Sequence, residues 1–255
     1  MSYSVTGLTF AGLTDVGLQR AVNQDSYYIS PDGDIFIVAD GMGGHNGGQE
    51  ASSLATTAIW QYLSKHREDA SFSSSALLEN AVLAANQAIL TDQAQHPVRA
   101  DMGTTVVVLL LRNHEFWCAH VGDSRLYVLR ESGFIQITRD HTWVAEAIRS
   151  GDISADELVS HPWRHVLSQC VGRKDLRKVD IQRVSVEPGD RLLLCSDGLT
   201  EELSNDAVIS YLQSAQTCEG AVAALIAAAK AQGGRDNITA IALAVPEFPT
   251  YIQSD

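Results

Sequence analysis

The feature of this sequence that most constrains its fold is a set of aspartates placed where apolar runs meet glycine or asparagine. The run FIVAD ends at Asp40, LLLCSD ends at Asp197, and a glycine follows each of them. Asp123 follows a glycine in CAHVGD, and Asp236 stands just before an asparagine and another apolar run. A carboxylate at the end of a buried strand is held by the core behind it, and glycine lets the main chain approach a bound group closely.

A single Asp-Gly pair after a strand usually forms a turn, but four such sites in one chain favour a shared role. Oxygen ligands without Cys or His partners select hard cations such as Mg²⁺, Mn²⁺ or Ca²⁺. An EF-hand would need its ligands in one loop of about twelve residues, whereas these are spread from Asp40 to Asp236. Clustered Mg²⁺ or Mn²⁺ ions on shared aspartates are typical of phosphoryl hydrolysis.

The pattern of apolar residues predicts an α+β fold. Helical spacing is found over Gln49–Arg67, Ser75–Gln95, Asn205–Leu212 and Cys218–Gln232. Strand-like runs bounded by turn residues are found over Asp34–Ala39, Thr104–Leu111, Phe116–Val121, Arg125–Arg130, Arg191–Cys195 and Ile238–Val245. Because helices and strands arrive in clusters and not in strict alternation, we expect largely antiparallel sheets. No linker divides the 255 residues, which predicts one domain over 1–255 with a tail after Pro246.

Charge excludes some function classes. The net charge of −13 argues against nucleic acid as a partner, because binding a polyanion needs a basic surface. The same charge would repel a phosphate ester unless bound cations reverse the local field.

The cysteines, the N-terminus and the length of the apolar runs indicate where in the cell the protein is expected. The four cysteines form no CxxC pair, and the N-terminus lacks the features of a signal peptide. The longest apolar run, Ala221–Ala229, is far shorter than the ~18 residues that span a bilayer. We therefore expect a cytoplasmic protein with no disulfide framework and no membrane partner.

Seven motifs occur in a fixed order and identify a family. They are RAVNQD (20–25), VADGMGGHNGG (38–48), DMGTT (101–105), VGDSR (121–125), DHT (140–142), CSDGLTEEL (195–203) and GGRDNIT (233–239). Together they resemble the type 2C metal-dependent protein phosphatases, the PPM family, over roughly residues 6–245. The resemblance is strongest to compact bacterial members of the cyanobacterial type, which act on the nitrogen-signalling protein P-II.

The resemblance implies a fold and a domain plan. Two antiparallel sheets would pack face to face as a four-layer sandwich, with helices on both outer sides. The catalytic core would cover about residues 6–245, and a variable flap of about residues 139–183 would lie beside the active site.

The resemblance also implies a set of metal ligands. Asp40 would bridge two metal ions, and the main-chain carbonyl of Gly41 would bind one of them. Asp197 and Asp236 would complete the first metal site. Asp123 and Asp197 would bind a third, weaker ion. The cofactors would be Mg²⁺ or Mn²⁺.

Other residues would act on water or substrate. Asp25 would act through a water molecule on the metal, and Arg20 would grip the substrate phosphate with its forked guanidinium. Animal members carry a histidine where this chain has Met42. His45 lies nearby and could protonate the leaving group or only shape substrate binding, and a water on the metal is the other candidate proton donor.

The flap region is the only locally basic stretch, with 8 basic and 7 acidic residues. Within it, His161 and Arg173 are candidate substrate-binding residues that could guide a phosphorylated peptide. Most of its other charged residues fit a solvated surface.

The sequence therefore predicts hydrolysis of phosphoserine and phosphothreonine on a phosphoprotein by metal-activated water. P-II is a candidate substrate, and we expect a monomer. The alternative is a non-catalytic phosphoprotein-binding module of the same fold, but degenerate relatives lose metal aspartates and this chain keeps them all. A serine hydrolase is disfavoured because GxSxG is absent, and a P-loop because no GK[ST] is present.

Overall fold

Two antiparallel sheets form the centre of the fold. The computed structural model describes residues 3–44, 47–154, 161–176, 178–247 and 250–253. The strands are β1 (Tyr3–Thr6), β2 (Thr9–Asp15), β3 (Asp25–Ile29), β4 (Ile35–Met42), β5 (Gly103–Thr104), β6 (Val106–Arg112), β7 (Glu115–Val121), β8 (Arg125–Arg130), β9 (Gly133–Gln136), β10 (Asp180–Val184), β11 (Arg191–Cys195), β12 (Ile238–Ala244) and β13 (Thr250–Gln253). One sheet has the order β10-β7-β6-β4-β3 with β5 on the end of β4, and the other has the order β2-β12-β11-β8-β9.

Helices cover the outer face of each sheet. They are α1 (Gly47–His66), α2 (Ser74–Gln95), α3 (Trp143–Ser150), α4 (Asp197–Thr200), α5 (Asn205–Ser214) and α6 (Cys218–Gln232), with a 3₁₀ turn at Pro97–Arg99. Serine and threonine cap several of them: Ser73 accepts a hydrogen bond from Ala76 N at 3.2 Å, and Thr217 accepts one from Gly220 N at 3.1 Å. None of the helices in the described ranges is long and apolar enough to cross a membrane.

The alternation of side chains along β4 shows how the layers are built. Phe36 and Val38 are fully buried between the two sheets, where they meet residues of β11 and β12. Ile35 and Ile37 point to the opposite face and pack against α1 and α2. A third cluster joins the second sheet to α5 and α6, with Leu225 at its centre. The predicted four-layer α+β sandwich is confirmed.

The chain ends differ from the sequence prediction. The stretch after Pro246 was expected to be a tail, but β13 pairs with β1 through residues 250–253 and 3–6. Pairing between two segments at opposite ends of the chain produces no recognisable pattern in either segment alone. The prediction of a tail was therefore wrong for residues 250–253.

The predicted flap region, residues 139–183, contains two different parts. Helix α3 and residues 161–176 contribute no strand, although Val171 forms a single bridge with Thr104 of β5, whereas β10 pairs with β7 as an edge strand. Residues 155–160 and 177 of this region lie outside the described residues. The last residues assigned to the flap by sequence thus belong to the sandwich.

Candidate metal centre

The predicted metal aspartates meet at one end of the sandwich. Asp40 lies near the end of β4, and Asp25 opens the neighbouring β3 directly opposite it. Asp197 follows β11 as the first residue of α4, and Asp123 lies between β7 and β8. Asp236 precedes β12, which pairs with β11. The strand ends therefore bring together carboxylates that are far apart in sequence.

A cleft of about 440 Å³ opens at this point. Its walls carry the carboxylates of Asp40, Asp123, Asp197 and Asp236 together with the main chain of Gly41. A side chain could not replace this glycine, because a Cβ atom at Gly41 would lie 1.9 Å from the carbonyl oxygen of Gly48. The main chain of the β4 end is packed too closely for any other residue.

Hydrogen bonds from the second sheet orient the side chain of Asp25, which is buried. Its Oδ2 accepts a hydrogen bond from Ser196 Oγ at 2.7 Å and another from Thr239 Oγ1 at 2.7 Å. Its Oδ1 is buried, and no group among the described residues donates a hydrogen bond to it. Ser196 and Thr239 belong to the second sheet or its edge, so this carboxylate ties the two sheets together at the cleft.

Burial and mutual repulsion raise the pKa values of these carboxyl groups. Burial raises the pKa of Asp25 to about 7. The pKa of Asp40 lies well above its usual range, first because of burial and then because of the negative charges of Asp25, Asp197 and Asp123. Burial, followed by the charge of Asp197, also holds the pKa of Asp123 well above its usual range. Burial likewise raises the pKa of Asp197. Such a group of like charges favours either protons or bound cations.

The donor set fits hard divalent cations. Asp25 Oδ1 and Asp197 Oδ1 are buried oxygen atoms that receive no hydrogen bond from the described part of the chain. A buried oxygen without a partner costs free energy of folding unless a cation or a water molecule binds it. The four cleft carboxylates offer oxygen atoms only, which is the ligand preference of Mg²⁺ and Mn²⁺. These residues can therefore hold the ions that the sequence motifs predict.

The motif DMGTT fixes the position of Asp40 through its main chain. Thr105 N donates to Asp40 O at 2.8 Å, and Thr104 Oγ1 donates to the same oxygen at 2.8 Å. Asp40 N in turn donates to Thr105 Oγ1 at 3.1 Å. Thr105 Oγ1 also lies 2.6 Å from Ser124 Oγ, next to Asp123. In the sequence, this motif indicated only a resemblance to the family, and its two threonines had no predicted role.

The remaining predicted site residues lie at different places. Arg20 lines the cleft and donates from Nη2 to Asp236 Oδ2 at 2.6 Å. Arg173 also lines the cleft and pairs with Asp175 at 3.2 Å. His161 is not among the cleft-lining residues, since its ring stacks on Trp143 at 5.1 Å.

Two further residues singled out in the sequence, Met42 and His45, belong to the VADGMGGHNGG motif (38–48). Met42 lines the cleft, at the position where animal relatives carry a histidine. His45, the candidate proton donor, lies outside the described residues.

The structure adds two residues that sequence reasoning missed. His165 lines the cleft, and its Nδ1 lies 2.6 Å from Glu201 Oε1. Burial, followed by the charge of Asp197, raises the pKa of Glu201 to about 7. Glu201 stands four residues after Asp197, at a short helix, and side chains with this spacing lie on the same face of a helix. That spacing was a sequence signal from which Glu201 could have been chosen as a site residue. His165 could not be chosen over His161 from the sequence, because both belong to the same HPWRH stretch.

Comparison with known proteins agrees with this geometry. The family model described as "Protein phosphatase 2C" matches residues 19–232. The serine/threonine protein phosphatase PstP of Mycobacterium tuberculosis is 35% identical over 243 residues, covering 94% of this chain and 46% of PstP. The protein phosphatase PhpP of Streptococcus pneumoniae is 34% identical over 238 residues, covering 92% of this chain and 96% of PhpP. This chain thus spans about half the length of PstP and nearly all of PhpP.

Solved structures show the same likeness. The crystal structure of the M. tuberculosis phosphatase PstP/Ppp has a TM-score of 0.84 at 34% identity and covers 94% of this chain and 99% of that one. A structure of the PstP catalytic domain with two manganese ions has a TM-score of 0.83 at 32% identity, covering 94% and 98%. The chain therefore belongs to the protein phosphatase 2C family, the metal-dependent serine/threonine protein phosphatases that use Mn²⁺ or Mg²⁺. The resemblance seen in the motifs is confirmed.

The carboxylate cluster predicts an unusual pH dependence of stability. Asp25 has a pKa of about 7 in the folded protein, against about 3.9 in an unfolded chain. Between these values the folded state binds more protons, so stability falls as the pH rises. We expect the Tm of EDTA-treated protein to fall by several degrees between pH 5 and pH 8. Mn²⁺ should raise the Tm more at pH 8 than at pH 5, because it binds the ionised carboxylates.

Thermal melts with EDTA and with Mn²⁺ at both pH values check this expectation. The variant Asp25→Asn is the control, since it removes one of the ionisations with little change in shape and should reduce the pH dependence of the Tm. Equal effects of Mn²⁺ at the two pH values would show that repulsion among these carboxylates does not limit stability.

Proposed function

We propose that this chain hydrolyses phosphoserine and phosphothreonine on protein substrates. The observation that carries the proposal is the convergence of Asp40, Asp123, Asp197 and Asp236 in one cleft with Arg20 at its wall. Carboxylates hold the cations, and the arginine can hold the phosphate that the cations neutralise. A non-catalytic phosphoprotein-binding module is not favoured, because it would have no use for a complete set of metal carboxylates.

Each carboxylate has a place in the proposed centre. Asp40, Asp197 and Asp236, with the carbonyl of Gly41, would hold two core ions, and Asp123 with Asp197 would hold a third, weaker one. When bound, Mg²⁺ or Mn²⁺ activates water and neutralises charge on the phosphoryl oxygens.

Arg20 is suited to binding the phosphate. One of its N–H groups is used on Asp236 Oδ2, and the guanidinium offers further N–H donors in the same plane. Its side chain is 52% exposed, so a substrate can reach it. The link to Asp236 holds the phosphate-binding group at a fixed position relative to the metal ligands.

Asp25 is suited to handling a proton. Ser196 and Thr239 occupy its Oδ2, which leaves Oδ1 as the oxygen that can accept a hydrogen bond or a proton from water. For protonation of the leaving oxygen, His45 stays the candidate that the sequence supplies, with water as the alternative donor.

The substrate class is a phosphorylated protein, and we propose the P-II signalling protein as the candidate substrate. The support is the resemblance of the motifs to compact bacterial members. Arg173, at the wall of the cleft, is positioned to contact residues beside the phosphorylated side chain, and His161 would act at a greater distance. Dephosphorylation of phosphorylated P-II, compared with other phosphoproteins, tests this choice.

We further propose a cytoplasmic monomer. The four cysteines are buried as free thiols, which suits a reducing compartment. Light scattering coupled to size-exclusion chromatography would detect a dimer, and fractionation of cells would show the compartment.

Loss of a core ligand should abolish most of the activity. We expect Asp40→Ala and Asp236→Ala to lower kcat on p-nitrophenyl phosphate by about 100-fold or more, since each removes a ligand of the ions that activate water and stabilise charge. EDTA should abolish turnover of the unmodified protein, and Mn²⁺ should restore it. Asp101→Ala is the control, because this aspartate is exposed and does not line the cleft. A fall of less than about threefold in either core variant at saturating Mn²⁺ would reject the ligand assignment.

Activity on a small and on a large substrate should distinguish the role of the third-ion site from the role of the flap. Asp123→Ala should lower turnover of both p-nitrophenyl phosphate and a phosphoserine peptide, with two ions still bound. Arg173→Ala should mainly lower kcat/KM for the peptide, because a small ester does not extend along the cleft wall. Arg183→Ala is the matched control, since this arginine is exposed and pairs with Glu115 away from the cleft. If Asp123→Ala and Arg173→Ala lower both activities in equal proportion, the division of roles is wrong.

A further inference from the structure

The triplet Asp140–Thr142, the DHT motif, has no assigned role in the proposed mechanism, yet it lies against the Asp123 loop. Asp140 forms a two-pronged ion pair with Arg125, which donates from Nε to Oδ1 at 3.0 Å and from Nη2 to Oδ2 at 2.6 Å. Arg125 stands two residues after Asp123. The triplet therefore holds the C-terminal side of the loop that carries the proposed ligand of the third ion.

His141 holds the other side of the same loop. Its main-chain N donates to Gly122 O at 3.0 Å, and its ring Nδ1 accepts a hydrogen bond from Gly122 N at 3.2 Å. Both polar groups of the residue directly before Asp123 are thus bound by one histidine. Gly122 has a φ of +106°, and a Cβ atom there would lie 2.6 Å from the side chain of Thr105, so the loop has little freedom to take another shape.

The tautomer of His141 follows from these bonds. Because Nδ1 accepts from Gly122, the ring proton lies on Nε2, which donates to Asp180 Oδ2 at 3.3 Å. The ring of His120 stacks on it at 4.7 Å, and both rings are buried. Asp180 thereby selects the tautomer that can bind the Asp123 loop.

The cluster of His120, His141 and Asp180 is close enough to suggest a metal site of its own, but its hydrogen bonds argue against one. A cation on His141 Nε2 would move the ring proton to Nδ1, where it would face the N–H of Gly122. Two donors would then oppose each other in a buried place. The cluster is better suited to holding a main-chain loop than to binding an ion.

His141 also contacts the segment that leads along the cleft. Its carbonyl accepts from Ser168 N at 2.8 Å, and Trp143 N donates to Val166 O at 2.8 Å beside it. Thr142 caps α3 by accepting from Ala145 N at 3.2 Å. His141 therefore joins the Asp123 loop to the chain that includes His165.

We propose that His141 is a positioning residue for the third metal ion, which sets the place of the Asp123 carboxylate through the main chain of Gly122. The inference rests on the proposed function, because it takes Asp123 as a ligand of that ion. It adds a residue whose side chain acts on the Asp123 loop through the hydrogen bond that its ring accepts from Gly122 N.

Two substitutions of similar size separate this role from a merely structural one. In His141→Asn, the amide oxygen can take the place of Nδ1 and still accept from Gly122 N. In His141→Gln, the amide reaches the place of Nε2, so the contact with Asp180 is kept and the contact with Gly122 is lost. Both variants lose the stacked ring, so a difference between them reports on which of the two contacts, with Gly122 or with Asp180, is kept.

The readout is Mn²⁺ binding by calorimetry, with kcat on p-nitrophenyl phosphate measured beside it. We expect His141→Gln to weaken the third Mn²⁺ by about 10- to 100-fold, as for loss of groups that orient a metal ligand. Its kcat should approach that of Asp123→Ala, while the two core ions bind as in the unmodified protein. His141→Asn should stay within about threefold of the unmodified protein in both respects.

Equal losses in the two variants, or an unchanged third site in His141→Gln, would overturn the inference. An unmodified protein that binds only two Mn²⁺ ions would contradict the assignment of Asp123 in the proposed function. Three ions in the unmodified protein, with equal variants, would contradict the role of His141 alone.

A second pair of variants decides the matter if His141→Gln does not fold. Asp180 is 33% exposed at its side chain, and its substitution is tolerable. Asp180→Ala removes the acceptor that keeps the proton on Nε2, so the third Mn²⁺ should bind several-fold more weakly. Asp180→Asn keeps an oxygen acceptor and should bind the ion as the unmodified protein does. Equal binding by Asp180→Ala and Asp180→Asn would overturn the inference.

Discussion

Several carboxylates of this protein lie side by side in one cleft, and their mutual repulsion is the constraint on which the rest of the structure depends. The pKa values of Asp25, Asp40 and Asp123 are raised first by burial and then by that repulsion. A chain can hold such groups together only if its backbone cannot relax away from them. Two stacked sheets provide this rigidity, because each carboxylate lies at or beside a strand that is paired within one of them.

Hydrogen bonds across the sandwich keep the two sheets in register at the cleft. Asp25, on one sheet, accepts from Ser196 and Thr239, which belong to the second sheet or its edge. Asn237 Oδ1 accepts from the main chain of Gln24 at 2.7 Å in the same region. The candidate metal centre is therefore one of the places where the two halves of the fold are joined. A change in the packing of either sheet would move ligands relative to one another.

Much of the fold and of the carboxylate cluster that forms the candidate metal centre could be predicted from the sequence, because their signals are local. A buried strand that ends in Asp-Gly shows itself in a few residues, as at Asp40 and Asp197. Strand β3 (Asp25–Ile29) was missed because its residues are mostly half-buried and show no apolar run. The contacts of His141 and His165 could not be predicted, since each depends on packing between segments distant in sequence. For the same reason the DHT motif was recognised in the sequence but not explained.

Diffraction from crystals soaked in Mn²⁺, recorded at the manganese absorption edge, tests the central claim most directly. The claim is that these carboxylates are brought together to bind divalent cations. The account predicts two strong anomalous peaks beside Asp40, within reach of Asp197 and Asp236, and a weaker peak beside Asp123. Manganese bound only at the outer surface, with no peak among these carboxylates, would contradict it.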